Sequence, residues 1–229
     1  MAVGRRDAFL GVPRSGVLLR TNAAGVPFFQ RAYATITVTG APGFLSFADV
    51  RPNAQGFVVC GNIDNRQFGG RIVPFLMQTD GAGNILWTRT YTFPGVNVDA
   101  TADGLDLDTT GEIVFSGRLD SVGVPVQPTS LLVVRTDPAG NPLWAQGVRE
   151  FTNGFQAIAI VHNRKIVVAG TTPTNAAVGQ QAAIVEFDPA GAYLFGTQYG
   201  AQGDEQGHGF TWYDCGHGYT TVGLSNIPG

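Results

Sequence analysis

Short apolar runs separated by turn-forming residues recur along the whole chain. The segments 73–79 (VPFLMQT) and 130–136 (SLLVVRT) are rich in branched and apolar residues, as buried strands are. No stretch keeps apolar residues at helical spacing for more than about two turns. The pattern therefore predicts an all-β protein in which helix is scarce.

One ten-residue phrase occurs four times, at intervals of 58, 57 and 51 residues. The copies are RTNAAGVPFF (20–29), QTDGAGNILW (78–87), RTDPAGNPLW (135–144) and EFDPAGAYLF (186–195). Each copy has a short polar residue, a glycine three positions later and an aromatic residue seven positions later. These residues are Asn22, Gly25 and Phe29; Asp80, Gly83 and Trp87; Asp137, Gly140 and Trp144; and Asp188, Gly191 and Phe195. Such a period indicates a modular architecture.

The phrase has the chemistry of a tight hairpin turn. An Asp or Asn side chain bonds its own backbone, and glycine supplies the positive φ that the turn needs. The aromatic residue lies in the following strand and is expected to wedge between neighbouring sheets. Later in each copy, an apolar run closes on another glycine. These runs are GFVVCG (56–61), EIVFSG (112–117), KIVVAG (165–170) and GYTTVG (218–223). We therefore expect four short strands per copy.

A repeated four-stranded antiparallel unit of about 50 residues is typical of β-propeller blades. We predict a β-propeller of about four blades in a single domain over 16–229. The blades are expected at 16–62, 70–118, 130–170 and 181–224. A β-sandwich does not require a repeated turn phrase, and the coils of a β-helix are shorter. The ring could close with four blades or be completed by a second copy. Within the N-terminal segment 1–15, residues 7–11 (DAFLG) could supply a closing strand to the last blade.

The phrase TDGAGNILW, together with QYGAQGDEQGHGF and the closing GYTTVG, resembles the blades of bacterial surface and secreted β-propeller repeat proteins. It is also similar to the tryptophan-docking turn of quinoprotein propellers. The resemblance covers essentially residues 16–229 and implies an extracellular or cell-surface location. Asn22 and Phe29 in the first copy and Ala192 in the fourth depart from the pattern. Because propellers host enzymes, binders and scaffolds alike, the resemblance concerns the fold more than the function.

The amino-acid composition bears on whether the protein binds nucleic acid, a membrane or other protein subunits. Charged residues make up 14% of the chain, against about 25% in typical proteins, and the net charge is −3. These values argue against nucleic acid and against a basic membrane-binding patch. No apolar run approaches the roughly 18 residues of a membrane span, and residues 1–16 show no signal peptide. A glycine-rich surface of low charge is compatible with lateral packing against other subunits.

Several residues are candidates for a disulfide or a metal site. Cys60 and Cys215 could form a disulfide between the first and last blades, or Cys60 could be a small buried side chain. A polar cluster in the fourth copy and an acidic run in the second could in principle hold zinc or calcium. The two sets are Asp204, Glu205, His208, Asp214, Cys215 and His217; and Asp99, Asp103, Asp106 and Asp108. Their spacing matches no established site, so exposed loop residues are favoured. We predict no metal, cofactor or catalytic residues.

These observations favour a non-catalytic, self-assembling subunit of an extracellular bacterial surface structure or filament, with copies of the same chain as partners. The alternative is a module that binds a glycan or peptide at the channel mouth or at the loops 120–129 and 171–180. An enzyme of quinoprotein or lyase type is a weaker alternative, because the chain has no Gly-x-Ser-x-Gly elbow and no phosphate-binding loop.

Overall fold

The computed structural model describes residues 2–6, 15–34, 37–38, 41–93, 98–121, 129–149, 158–162, 165–172, 179–200, 204–213 and 218–226. It is an all-β structure of antiparallel sheets. Within these ranges, the only helical element is a 3₁₀ turn at Arg66–Phe68. The prediction of an all-β chain with little helix is therefore confirmed. The chain divides into two compact units, Met1–Ala102 and Asp103–Gly229, where the sequence predicted one domain.

The first unit contains ten strands. They are β1 (Ala2–Arg6), β2 (Ser15–Thr21), β3 (Pro27–Ala34), β4 (Thr37–Val38), β5 (Ala41–Pro42), β6 (Phe44–Pro52), β7 (Gly56–Asp64), β8 (Ile72–Asp80), β9 (Ile85–Thr90) and β10 (Val98–Ala100). Strands β1-β2-β3 form one sheet and β6-β7-β8-β9 a second, while β4 and β5 pair as a short ribbon.

The second unit also contains ten strands. They are β11 (Gly104–Leu107), β12 (Ile113–Ser121), β13 (Thr129–Thr136), β14 (Pro142–Val148), β15 (Ile158–His162), β16 (Lys165–Thr171), β17 (Ala182–Phe187), β18 (Tyr193–Tyr199), β19 (Asp204–Tyr213) and β20 (Gly218–Asn226). Strands β11 to β14 lie side by side in chain order, as do β15 to β18, and β19 pairs with β20.

The sheets are offset by half a copy from the blade boundaries that we predicted. Each four-stranded sheet joins the last two strands of one copy to the first two strands of the next. The reason is visible between β7 and β8, which pair continuously from Gly56 opposite Asp80 to Asp64 opposite Ile72. A short connection closed by the bond from Asn65 N–H to the Arg71 carbonyl makes these two strands neighbours. The third and fourth copies have the predicted four strands, whereas the first copy has in addition the short strands β4 and β5, and the second has the short strand β10.

The two central strands β8 and β13 are buried along almost their whole length. Burial on both faces explains why their sequences are continuous apolar runs without alternation. In the first unit, Phe75 and Met77 of β8 belong to a core that also contains Leu18, Leu45, Phe47, Val59 and Ile63. In the second unit the core consists of Val114, Leu131, Val133, Ile166, Val168, Ala183, Val185 and Phe187. Each core joins residues from two sheets, so the sheets pack face to face.

The N-terminal segment forms β1, which pairs antiparallel with β2 of the first sheet. The predicted closing strand at 7–11 lies outside the described residues, and so does the turn at 214–217. The loops 120–129 and 171–180 are described only at their ends.

Candidate functional site: the repeated turn and the exposed edge strands

The four copies of the phrase fold into the same turn. In each, the backbone N–H of the Asp or Asn donates to the carbonyl four residues later, and the glycine N–H donates back to the Asp or Asn carbonyl, all at 2.9–3.1 Å. The four glycines have φ between 77° and 88°, a region that side chains rarely adopt. All four copies of the phrase therefore share one turn geometry.

The Asp side chain completes this turn. Asp80 accepts bonds from the backbone N–H groups of Ala82 and Asn84 and from the Asn84 side-chain amide, at 2.7–2.9 Å. Asp137 makes the same three bonds with Ala139 and Asn141. The Asn84 side-chain bond is the main cause that lowers the pKa of Asp80 below its usual value. These carboxylates hold turns, which accounts for their recurrence in the phrase.

In the second unit, Trp144 lies on the turn of the following copy. Its Nε1–H donates to the Pro189 carbonyl at 3.1 Å. The indole approaches Gly191 so closely that a Cβ built on this glycine would lie 2.7 Å from Trp144 Cδ2. The Arg135 guanidinium donates to the same Pro189 carbonyl at 3.2 Å. Position 191 therefore needs glycine both for its φ and for the contact with the ring.

In the first unit, Phe29 lies on the following turn in the same way. A Cβ on Gly83 would be 3.0 Å from Phe29 Cε2. Because phenylalanine has no donor, the bonds come from elsewhere: Tyr33 Oη–H donates to the Gly83 carbonyl at 2.7 Å, and Arg20 donates to the Gly81 carbonyl at 2.8 Å. Burial raises the pKa of Tyr33, so its hydroxyl stays a donor at neutral pH. Of the other two aromatic residues, Trp87 is half-buried and Phe195 is 41% exposed.

A second repeated position lies two residues before each turn Asp or Asn, where the chain places a polar side chain. In β13 this residue is Arg135, which donates to Glu112 at 2.7 Å and to Asp108 at 3.2 Å. Only 7% of the Arg135 side chain is exposed, and these two carboxylates compensate its buried charge.

The other three copies fill this position differently. Gln78 in β8 exchanges two amide bonds with Asn53, at 2.9 and 3.0 Å. The equivalent residue in β17 is buried Glu186, whose carboxylate lies 2.5 Å from Lys165 Nζ. Arg20 in β2 lies over the ring of Phe28, with its guanidinium carbon 5.0 Å from the ring centre.

The edge strands carry a regular row of exposed apolar side chains. Among the described residues, strands β3, β9, β14 and β18 are each the last strand of their sheet. Each of them places a large apolar residue immediately before the aromatic position of the phrase. These residues, which we name the apolar row, are Phe28 (65% exposed), Leu86 (51%), Leu143 (52%) and Leu194 (46%). Exposed apolar residues on a strand with unpaired backbone groups are a predicted site of association.

Two grooves occupy equivalent places next to the repeated turn. In the first unit, Arg31, Tyr33 and Asn84 contribute to a groove of about 540 Å³. In the second unit, a groove of about 320 Å³ is lined by Gln146, Val148, Phe187 and Tyr193, among others. The repeat therefore also supplies a small aromatic and polar surface in each unit.

The structure gives each of the four aspartates of the acidic run a different partner. Asp99 accepts a bond from the backbone N–H of Ile72 at 2.9 Å, and Asp106 accepts one from Leu107 N–H at 3.0 Å. Asp103 lies 4.0 Å from Arg118 Nε, and Asp108 binds Arg135 as described above. Among the described residues, no group of three or more His, Cys, Asp or Glu side chains could hold a metal ion.

The remaining candidates lie mostly outside the described residues. For Asp204, Glu205 and His208 only the backbone of β19 is described, and Asp214, Cys215 and His217 are not described at all. Cys60 is a fully buried thiol whose sulfur lies 4.0 Å from the Ala102 carbonyl. Its disulfide with Cys215 stays a prediction. In the part of the chain that is described, no helix is long and apolar enough to cross a membrane.

Comparison with known proteins adds no family. No protein-family model matches the chain, and no curated protein matches it either. The features of the site therefore come from the chain itself. Sequence reasoning missed the apolar row and the polar position before the turn, although both recur within the phrase. Two regularities of the phrase could have revealed them: the large apolar residue immediately before each aromatic residue, and the polar residue two positions before each Asp or Asn.

Proposed function

We propose that the chain is a non-catalytic, self-assembling β-propeller-type subunit of an extracellular bacterial surface structure or filament. The apolar row carries this proposal, because the same exposed position recurs in all four copies. A single exposed apolar residue on a protein surface is ordinary, whereas four such residues at one position of a repeat form a regular pattern. The extracellular setting rests on the resemblance of the phrase to surface and secreted repeat proteins.

The physical reason for assembly lies in the edge strands. An edge strand presents unpaired N–H and C=O groups that can pair with another chain, and natural proteins usually guard such edges with charged residues or prolines. In β9 and β18, the row position is flanked on its N-terminal side by a further exposed apolar residue, Ile85 and Tyr193. Contact between such strands of different copies would remove these side chains from water, which favours association.

The test is to replace the apolar row in the full chain by serine and to measure association. The test variant combines Phe28→Ser, Leu86→Ser, Leu143→Ser and Leu194→Ser. A matched control replaces one exposed polar residue on each of the same strands. The control variant combines Gln30→Ser, Arg89→Ser, Gln146→Ser and Gln198→Ser. Circular dichroism verifies that both variants keep the β-structure.

We expect light scattering and negative-stain images to show ordered assemblies for the wild type and the control, and a large loss of assembly for the row variant. A compact particle of 24.1 kDa for the wild type at high concentration would overturn the proposal. Equal loss of assembly in the row variant and the control would mean that the apolar row does not drive association.

A second candidate function is the binding of a glycan or peptide, and the paired grooves favour it. The groove of the first unit combines an aromatic ring with guanidinium and amide donors at Arg31, Tyr33 and Asn84. Such groups suit the apolar faces and hydroxyls of a sugar. Glycan-array binding by the monomer that disappears in Arg31→Ala, and persists in Arg89→Ala, would support this alternative. Absence of binding across the array would argue against a glycan ligand.

A further inference from the structure

The three complete sheets share one rule of assembly. In each, the strand that leads into the repeated turn (β8, β13 or β17) pairs with the second strand of the preceding hairpin (β7, β12 or β16). The closing glycine of that hairpin strand always lies opposite the residue five positions before the turn Asp. The pairs are Gly61 and Phe75, Gly117 and Leu132, and Gly170 and Ala183. The register of this edge is therefore fixed by the repeat.

Strand β2 also leads into a repeated turn, the one at Asn22, but its neighbour is not the second strand of a hairpin. It pairs with β1, in which Gly4 lies opposite Val17. Val17 stands five positions before Asn22, so Gly4 occupies the place of the closing glycine. β1 has only 5 residues, against 9 in β7 and in β12. Among the described residues, no further strand of this sheet lies beside β1. β1 therefore covers the edge of β2 with half of a hairpin.

Hairpin β19–β20 is a complete hairpin without the partner strand that the other hairpins have, as far as the described residues show. It corresponds in chain order to the hairpins β6–β7, β11–β12 and β15–β16, and β20 carries the closing glycine as Gly223. Within the described residues, β20 pairs with β19 alone, whereas β7, β12 and β16 each pair with a strand on both sides. The repeat thus leaves one hairpin without a partner strand and one partner strand without its full hairpin.

We propose that hairpin β19–β20 of one copy pairs with β2 of a second copy, in the register that places Gly223 opposite Val17, and that it displaces β1. This inference rests on the proposed self-assembly and names the strands that perform it. The occupant is a second copy because β1 of the same unit already covers this edge of β2 within one chain, while every further copy brings another β19–β20 hairpin with the closing glycine. The exchange replaces the 5 residues of β1 by the 9 residues of β20 and adds β19 as a further strand.

Single-cysteine variants test this pairing between copies. In the proposed register Leu19 lies opposite Thr221, so we prepare Leu19→Cys and Thr221→Cys as separate proteins and mix them. Both carry Cys60→Ala and Cys215→Ser, so that each protein has one cysteine; alanine is the residue that the third copy has at the place of Cys60 (Ala169). Opposite residues on paired strands have Cβ atoms about 4.5–5.5 Å apart, within reach of oxidation or a short bis-maleimide.

We expect a covalent heterodimer when Leu19→Cys is mixed with Thr221→Cys. The control is the mixture with Thr220→Cys. Because successive positions of a strand alternate between its two faces, this mixture should cross-link at least tenfold less. Deletion of residues 2–6 should increase the yield of the heterodimer, because it removes the competing strand. No heterodimer, or equal cross-linking in the control, would overturn the proposed pairing.

A further arm separates pairing between copies from pairing within one chain. The double variant Leu19→Cys with Thr221→Cys should give chains of covalent multimers that dilution does not abolish once they have formed. If it gives only an internally linked monomer at every concentration, the second copy is the wrong occupant. Light scattering of the wild type is measured in parallel. Assembly without the 19–221 cross-link would refute this inference alone, whereas the absence of any assembly would refute the proposed function as well.

Discussion

In each unit an aromatic ring packs on the glycine of the next repeated turn, and we call such a turn a docked turn. The two docked turns are held by different side chains. In the first unit, Phe29 covers Gly83 and the donor to the turn is Tyr33, four residues later. In the second unit, Trp144 covers Gly191 and carries the donor itself, as its Nε1–H. The residue four positions after Trp144 is Val148, which has no donor and packs against the core.

This difference separates what the repeat requires from what it can exchange. Both sites keep the glycine, its positive φ and a flat aromatic ring on top of it. Each turn also accepts a side-chain hydrogen bond, but both the donor and the accepting carbonyl differ. Tyr33 donates to the Gly83 carbonyl, whereas Trp144 donates to the Pro189 carbonyl, which corresponds to that of Gly81. The arginines two positions before the turn residue also share one contact and differ in another. Arg20 and Arg135 both donate to a carbonyl of the next turn, but among the described residues only Arg135 binds carboxylates.

The largest contrast is expected between these two arginines. Arg135→Leu leaves Asp108 and Glu112 facing each other without their cation, which should lower the free energy of unfolding by roughly 3 kcal/mol. Arg20→Leu removes one hydrogen bond and the contact with Phe28, which should cost about 1 kcal/mol. Urea unfolding followed by circular dichroism measures both. Equal losses would mean that the carboxylates do not distinguish the two sites.

The glycine of the docked turn gives the next contrast. Gly191→Ala has to adopt φ near 88° and also to clash with Trp144, so it should cost about 2 kcal/mol or more. Gly25→Ala is the matched control, because Gly25 has φ of 79° but nothing within 4 Å of its added Cβ. We expect the control to cost only about 1 kcal/mol. The difference between the two in thermal unfolding isolates the contact with the ring. A control as destabilised as Gly191→Ala would show that the φ angle alone demands glycine.

The phrase explains how much of this site could be predicted from the sequence. The spacing from Asp80 to Gly83 to Trp87 predicts a hairpin turn, because an Asp side chain bonds the backbone of a turn and glycine supplies its positive φ. The strands were also predictable, since β8 and β13 are apolar runs of strand length. Which strands join into one sheet was not, because pairing depends on the short connection at 65–71 and the sequence pattern is the same for either grouping.

The donors to the turn were not predictable for a different reason. Tyr33 and Arg31 lie on an exposed strand where any residue type is tolerated, so nothing in the local pattern marks their role. Their bonds join residues 50 and 53 positions apart and depend on how two sheets face each other. Only the comparison of Tyr33 with Val148, and of Phe29 with Trp144, shows that these positions change together.

Exchange of the donor between the units gives a smaller and more specific effect. Tyr33→Phe and Trp144→Phe each remove one hydrogen bond to a turn carbonyl and should each cost about 1 kcal/mol. Adding Val148→Tyr to Trp144→Phe copies the solution of the first unit into the second. We expect it to recover part of the loss in urea unfolding. Val148→Phe, which adds the ring without the hydroxyl, is the control, and recovery by this variant would refute a role for the donor.

The smallest expected effect concerns the charge of the turn. The bond from the Asn84 side chain lowers the pKa of Asp80 in the folded state, so the ionised carboxylate stabilises the fold above its unfolded pKa near 3.8. This stabilisation is lost as the pH falls through the lower folded pKa, because the proton then binds in both states. Asp80→Asn should therefore lower the melting temperature slightly at pH 7, and the melting temperatures of the variant and the wild type should converge in strong acid.

The first copy already has Asn22 and, four residues later, Val26 in place of Asn84, so Asn22→Asp should create only a weaker dependence of the melting temperature on pH. Parallel melting curves for Asp80→Asn and the wild type across this range would mean that the turn gains nothing from its charge.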